Sequence, residues 1–266
     1  MTYQPVLVSS GYAGWTFLQK TLQKQMAAFA ASPQIERDTA YFTANINKVT
    51  SVDQLLSDRR LLKVALGAFG LDDQINSKAL IRQVLTQGPS DSNALANKLT
   101  DKRYLALAQA FDFSNSDKVP TQQPAFSSKI VAAFEGSQFQ AAVGQQDSDL
   151  QLALNAQGAL SGLAATNSSE PTKWYNVMGS PSMRKIFETA LGLPSGFVSI
   201  NIDQQLSVFQ QKSAEVFGDG SVSQFTDPAK MNQLIKLFLV RSSASTAQST
   251  PASSIALQLL QGTGSG

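Results

Sequence analysis

The chain contains a stretch of itself twice, which narrows the architectures open to it. Ser57-Asp58-Arg59-Arg60-Leu61-Leu62 through Ala68-Phe69-Gly70-Leu71 returns 122 residues later as Gly179-Ser180-Pro181-Ser182-Met183-Arg184 through Ala190-Leu191-Gly192-Leu193. Leu99-Thr100-Asp101-Lys102-Arg103 through Ala110-Phe111 returns 126 residues later as Phe225-Thr226-Asp227-Pro228-Ala229-Lys230 through Leu237-Phe238. A few residues of loop change account for the two offsets. In both copies apolar residues recur at three- and four-residue steps behind a Ser, Thr or Asp, the pattern of a capped amphipathic helix. Gly70 and Gly192 are placed to stop the first of these helices.

The rest of the chain agrees with a helical reading. Residues 1–13 carry Pro5, Gly11 and a Ser pair without periodicity, and read as a flexible leader. Trp15, Leu18, Leu22, Met26 and Phe29 then form an apolar stripe with near-heptad spacing. That stripe is either a core-facing surface of a bundle or a partner-binding face. Ser32-Pro33 opens a second helix with Ile35, Phe42, Ile46 and Val49 inward, and Ser51-Val52-Asp53-Gln54 has the form of a capping box. Residues 14–113 hold these N-terminal helices and the first module. Residues 114–125, polar and with two prolines, read as a linker, and 126–240 hold a long helical segment and the second module. Residues 241–266 are a low-complexity tail, with Ser242–Ser254 expected to be disordered and Ser254–Gln261 to form a weak helical turn. Phe197-Val198-Ser199-Ile200 leans toward strand but is too short to found a sheet. The expected fold is all-α: a helical bundle built on a duplicated multi-helix module, with no sheet.

Composition removes much chemistry. The chain has no Cys and no His, so thiolate nucleophiles, Cys/His zinc sites, disulfides and catalytic histidines are absent. Charged residues make up 15% against the roughly 25% of average soluble proteins, and the net charge is only +2. Without a concentrated basic stripe, nucleic acid is not an expected partner. The N-terminus lacks the basic and apolar regions of a cleaved secretory signal, and no run approaches the ~20 apolar residues of a membrane span.

Ser57-Asp58, Thr100-Asp101, Ser180-Pro181 and Thr226-Asp227 each open an expected helix, so their hydroxyls and carboxylates are explained as caps. Arg59, Arg60, Lys102, Arg103, Arg184 and Lys185 follow those caps and read as solvated helix surface rather than a basic binding face. Gly218-Asp219-Gly220-Ser221 resembles the start of a calcium loop but lacks its later ligands and closing Glu, and is read as a turn. There is no phosphate-binding glycine loop and no G-x-S-x-G elbow. No cofactor, metal or catalytic residue is expected, and the remaining enzymatic alternative is carboxylate or Ser/Lys chemistry.

Gly14-Trp15, Tyr41-Phe42 followed by Asn45-Ile46, and Leu55-Leu56-Ser57-Asp58-Arg59 through Ala68-Phe69-Gly70-Leu71 resemble a bacterial family of unknown function. That family is found chiefly in alphaproteobacteria and is often encoded among flagellar genes. The resemblance implies a non-enzymatic accessory or interaction protein of flagellar assembly or regulation, cytoplasmic or flagellum-associated, with a protein partner. The stripe Trp15, Leu18, Leu22, Met26 and Phe29 is the candidate partner-binding face. An exported flagellar structural component is the alternative, since the first 29 residues are similar to axial proteins in style. Ser254–Gln261 is too short for the second coiled-coil strand of such a protein.

Overall fold

The computed structural model describes residues 3–114 and 119–249. Among these residues the secondary structure is helical throughout, with no strand, as the sequence implies. The helices are α1 (Gly11–Ala30), α2 (Pro33–Asn45), α3 (Val52–Ser57), α4 (Arg59–Gly67), α5 (Lys78–Gln87), α6 (Leu95–Lys98) and α7 (Arg103–Phe111), then α8 (Phe126–Gly144), α9 (Ser148–Ala164), α10 (Glu170–Gly179), α11 (Pro181–Leu191), α12 (Ile202–Phe217) and α13 (Pro228–Ser249). Short 3-10 turns punctuate them.

The internal repeat reappears as matching geometry. Asp58 accepts hydrogen bonds from the Arg60 and Leu61 amides to start α4, and Ser180 accepts from the Met183 amide to start α11. Both helices end on a left-handed glycine, Gly70 at φ 67 and Gly192 at φ 70. In both, the next residue's amide reaches back five positions, Leu71 to Leu66 and Leu193 to Glu188. This is the Schellman closure that only glycine enters without a Cβ penalty. Asp101 and Asp227 likewise accept from the amides two residues on, those of Arg103 and Ala229. Asp58, Ser180 and Asp227 therefore act as caps as expected, whereas at Thr100-Asp101 the N-cap position falls on Lys102 and Asp101 holds the first amide of α7 from one residue further out.

The chain divides into two compact units, one of residues up to Val6 with Lys20–Ala142, the other of Leu7–Gln19 with residues from Val143 on. The division falls inside α1 and near the end of α8, not at the expected linker 114–125. Part of that linker is a 3-10 turn, Pro120–Gln122, whose buried Thr121 donates its hydroxyl to the Val49 carbonyl at 2.6 Å. The first unit has a mainly aliphatic core with Phe42, Phe111, Phe134 and Phe139 fully buried in it. The second is aromatic: Trp174 stacks on Phe209 at 5.5 Å and meets Phe187 edge-on at 5.1 Å, while Phe225 meets both Phe187 and Phe217 at 5.3 Å. Trp174 also donates its indole N–H to the Gly220 carbonyl at 2.9 Å.

Three expectations change. Residues 11–13 belong to α1, and the extended residues before it are tied down: the buried Gln25 amide accepts from Val6 N–H at 2.7 Å and donates to Val6 C=O at 3.1 Å. One side chain thereby satisfies both polar groups of Val6. The low-complexity tail starts as helix, because α13 runs to Ser249. Its serines are held by back-bonding, Ser243 to Leu239 O and Ser245 to Ser242 O, and Arg241 caps α11 by donating to Ala190 O at 2.6 Å. Ser254–Gln261 lies outside the described residues. Finally, the long segment after 126 is two helices; the Asp147 side chain accepts from the Asp149 and Leu150 amides and starts α9 afresh.

Candidate functional site

The stripe on α1 is largely consumed by packing. Trp15 is 3%, Leu18 0% and Phe29 4% exposed, and Leu22 and Met26 are half-buried. Phe29 meets Phe139 edge-on at 5.7 Å and Tyr3 at 6.5 Å. Three of the five side chains therefore serve the interior, and only Leu22 and Met26 of the stripe keep partial access to solvent.

The Ser/Lys alternative finds one cluster in the second unit. Lys173, 3% exposed, donates to Ser223 Oγ at 2.6 Å, Ala164 O at 3.0 Å and Glu170 Oε1 at 3.2 Å. Ser223 Oγ donates in turn to Glu170, whose other oxygen accepts from the Val222 amide at 2.6 Å. Burial pushes the Glu170 carboxyl up, but the hydrogen bonds from Ser223, Val222 N–H and Lys173 outweigh it and hold it below the usual carboxylate range. All three ammonium hydrogens have acceptors, so the cluster ties the end of α9 and the first turn of α10 to the 3-10 turn Ser223–Thr226.

Two surface features remain. In the first unit a cleft of about 460 Å³ is lined by Asp38 of α2, Arg59, Arg60, Lys63 and Leu66 of α4, and Asp72 and Ile75 beyond it. Buried Asp38 pairs with Lys63 at 2.6 Å and accepts from Gln34 at 2.9 Å. Burial raises its carboxyl, and these bonds with the charges of Lys63 and Arg60 lower it further, leaving it below its ordinary value. Arg60 lies 4.0 Å over the Tyr41 ring and donates to Arg37 O at 3.1 Å. Tyr41 donates its hydroxyl to Asp58 at 2.7 Å, which fixes the ring beneath the guanidinium and raises the phenol's pKa.

In the second unit Val198 (58% exposed), Ile200 (39%) and Ile202 (46%) face solvent on the segment leading into α12. Tyr175 of α10 joins them by donating to Asp203 at 2.8 Å. The segment is held rigidly, since the buried Gln205 amide donates to both Val198 O and Ile200 O. It is the stretch whose composition leans toward strand; side chains that would have packed in a sheet are left facing water. Periodicity gave no notice of this strip, although its apolar residues at every second position were visible. Among the described residues no group of acidic residues is placed to hold a metal ion, and no helix is long and apolar enough to cross a membrane.

The model of the family described as "Protein of unknown function (DUF1217)" matches residues 68–231, more than half of the chain. The chain belongs to that family. The match opens at Ala68, beside the first left-handed glycine, and runs into α13, so it takes in most of both copies of the module. The crystal structure of protein AGR_C_984 from Agrobacterium tumefaciens is similar, with a TM-score of 0.72 at 27% identity, over 90% of this chain and 96% of that one. The similarity covers nearly the whole length of both proteins, and that protein is bacterial. No curated protein matches.

Proposed function

We propose that the chain is a non-enzymatic accessory or interaction protein of flagellar assembly or regulation, which holds a protein partner on helical surfaces. The observation that carries this reading is the exposed apolar strip of Tyr175, Val198, Ile200 and Ile202 in the second unit. These apolar side chains, carried on a segment pinned by Gln205, offer a partner apolar area to cover without reordering the backbone. The flagellar setting rests on the resemblance to a family often encoded among flagellar genes. It would place the protein in the cytoplasm or at the flagellum.

The non-enzymatic half is supported by the state of the Ser–Lys cluster. A Ser/Lys hydrolase needs a lysine free to take the serine proton, whereas Lys173 spends its three hydrogens on acceptors and Ser223 gives its own to Glu170. The test is fractionation of the source bacterium beside purified flagellar basal bodies, with the native chain and a Val198→Asp/Ile200→Asp variant. The native chain is expected with the basal bodies or with a flagellar protein recovered by cross-linking, and the variant in neither. Normal flagella and motility after deletion of the gene would sink the proposal.

A further inference from the structure

The duplication provides an internal reference for the cleft of the first unit, because residues 57–71 have counterparts 122 positions later, and the same offset carried four residues on reaches Ile75. Lys63 corresponds to Lys185, and each pairs with an aspartate on the helix that precedes its module, Asp38 at 2.6 Å and Asp149 at 3.2 Å. That ion pair belongs to the shared scaffold. Arg59 and Arg60 correspond instead to Pro181 and Ser182. The second copy builds the same capped helix and the same glycine stop without any cation there, so neither the cap nor the stop needs the two arginines. Ile75, half-buried on the cleft wall, corresponds to Phe197, which is buried edge-on to Phe209 at 5.1 Å. The copies thus differ where the cleft lies.

We propose that this cleft binds an acidic segment of a partner protein, its carboxylates on Arg59 and Arg60 and an apolar side chain against the wall of Leu66 and Ile75. The inference rests on the reading of the chain as a partner-holding protein. Charge selects the ligand: Lys63 and Asp38 neutralise each other, which leaves Arg59 and Arg60 on the cleft lining against the single carboxylate of Asp72. Among the described residues Arg59 is held by a 3.3 Å bond to Asn76, a weak contact that a carboxylate would replace with a charge-assisted one. Arg60 is pre-positioned by Tyr41 and uses few of its donors, leaving its planar fork open to a bidentate acceptor. The apolar wall favours a peptide over a bare inorganic anion, and a volume of about 460 Å³ suits a few side chains.

The experiment follows backbone amide shifts of the isotope-labelled full chain during titration at low salt. The probes are the peptide acetyl-Leu-Glu-Glu-Leu-amide, its lysine counterpart acetyl-Leu-Lys-Lys-Leu-amide, and inorganic phosphate. Saturable shifts confined to residues 59–66 and 72–76 are expected with the acidic peptide only, weakening as salt is added. Arg59→Ala/Arg60→Ser, which puts at position 60 the residue found in the second copy, should weaken binding at least tenfold. Arg59→Lys/Arg60→Lys, which keeps charge and loses the fork, should weaken it several-fold while leaving the amide spectrum of the rest of the chain unchanged. Equal shifts with the lysine peptide, phosphate binding as tight as the acidic peptide, or indifference to both variants would overturn the assignment. Failure here with co-purification at the basal body would remove the cleft and keep the proposed function. Peptide binding without any flagellar association would do the reverse.

Discussion

The paired glycines offer a test in which two substitutions share a backbone cost and differ in one neighbour. Gly70 and Gly192 both sit in the left-handed region, at φ 67 and 70. Alanine there costs about 1–2 kcal/mol from its Cβ alone. Around Gly70 a Cβ meets nothing closer than 3.7 Å, from Arg103 and Ser137, so Gly70→Ala should cost only that amount. At Gly192 the new Cβ would stand 2.9 Å from Arg241 Nη1, too close to keep. The exposed guanidinium can swing away, but it then gives up its 2.6 Å bond to Ala190 O. A solvent-accessible bond of this kind contributes roughly 0.5–1.5 kcal/mol, which brings Gly192→Ala to about 1.5–3.5 kcal/mol. At about 2–4 °C per kcal/mol for a chain of this size, the melting temperatures should fall by about 2–8 °C and 3–14 °C respectively. Both tryptophans, Trp15 and Trp174, lie in the second unit, so their fluorescence during urea unfolding reads Gly192→Ala directly, while far-UV circular dichroism covers both variants. In an Arg241→Ala background the extra cost at Gly192 should vanish and leave only the backbone part. Equal costs for the two glycines in the native background, or a neutral Gly70→Ala, would refute the reasoning.

Lys173→Met should destabilise by about 2–4 kcal/mol, because it leaves Glu170 and the Ala164 carbonyl short of a donor in a largely closed site; urea unfolding followed by tryptophan fluorescence checks it. Burial raises the Asp38, Asp58 and Glu170 carboxyls, but the hydrogen bonds and charges around them win, so all three titrate lower in the folded state than when unfolded. Their stabilisation is complete above the unfolded carboxylate range of about 4 and is lost as pH falls through the lower folded values, so thermal melts should drop steeply below about pH 4. Glu135 runs the other way: burial raises its pKa, so its charge opposes folding above that range, and Glu135→Gln should raise the melting temperature at pH 7 and make no difference at pH 3. Gly162→Ala, inside α9 with open space around the new Cβ, should stabilise by about 0.5–1 kcal/mol, whereas Gly67→Ala would drive a Cβ to 2.7 Å from buried Phe134 and should destabilise.

The features legible from the chain are those set by neighbours close in sequence. The caps at Asp58, Ser180 and Asp227, the Asp101 bond at the start of α7 and the glycine stops at 70 and 192 depend on residues within one helical turn, and the repeat advertises each of them twice. The stripe Ile35, Phe42, Ile46 and Val49 is buried throughout, as its spacing implies. The illegible features depend on distant partners. The leader is pinned because a glutamine nineteen residues away happens to match one peptide unit. Ser242 and its neighbours stay helical with help from Asp149 and Ala190, both far off in sequence. Whether Trp15 and Leu18 face a partner or the interior is likewise not written in a heptad. The cleft was missed for a related reason: Arg59 and Arg60 have the spacing of solvated charges, and only the comparison of the two copies in three dimensions sets them apart from Pro181 and Ser182.

The division of α1 between the units also bears on how the protein is made. Residues 7–19 leave the ribosome well before the remainder of their unit, which begins only at Val143. About 120 residues intervene, which at ~5–20 residues per second is a wait of ~6–25 s. The first unit can close once Ala142 has emerged, well before its companion. Throughout that interval Trp15 and Leu18, almost fully covered in the finished protein, have no native surface to rest on. The nascent chain thus carries a short sticky segment through that interval, a foothold for a ribosome-bound chaperone.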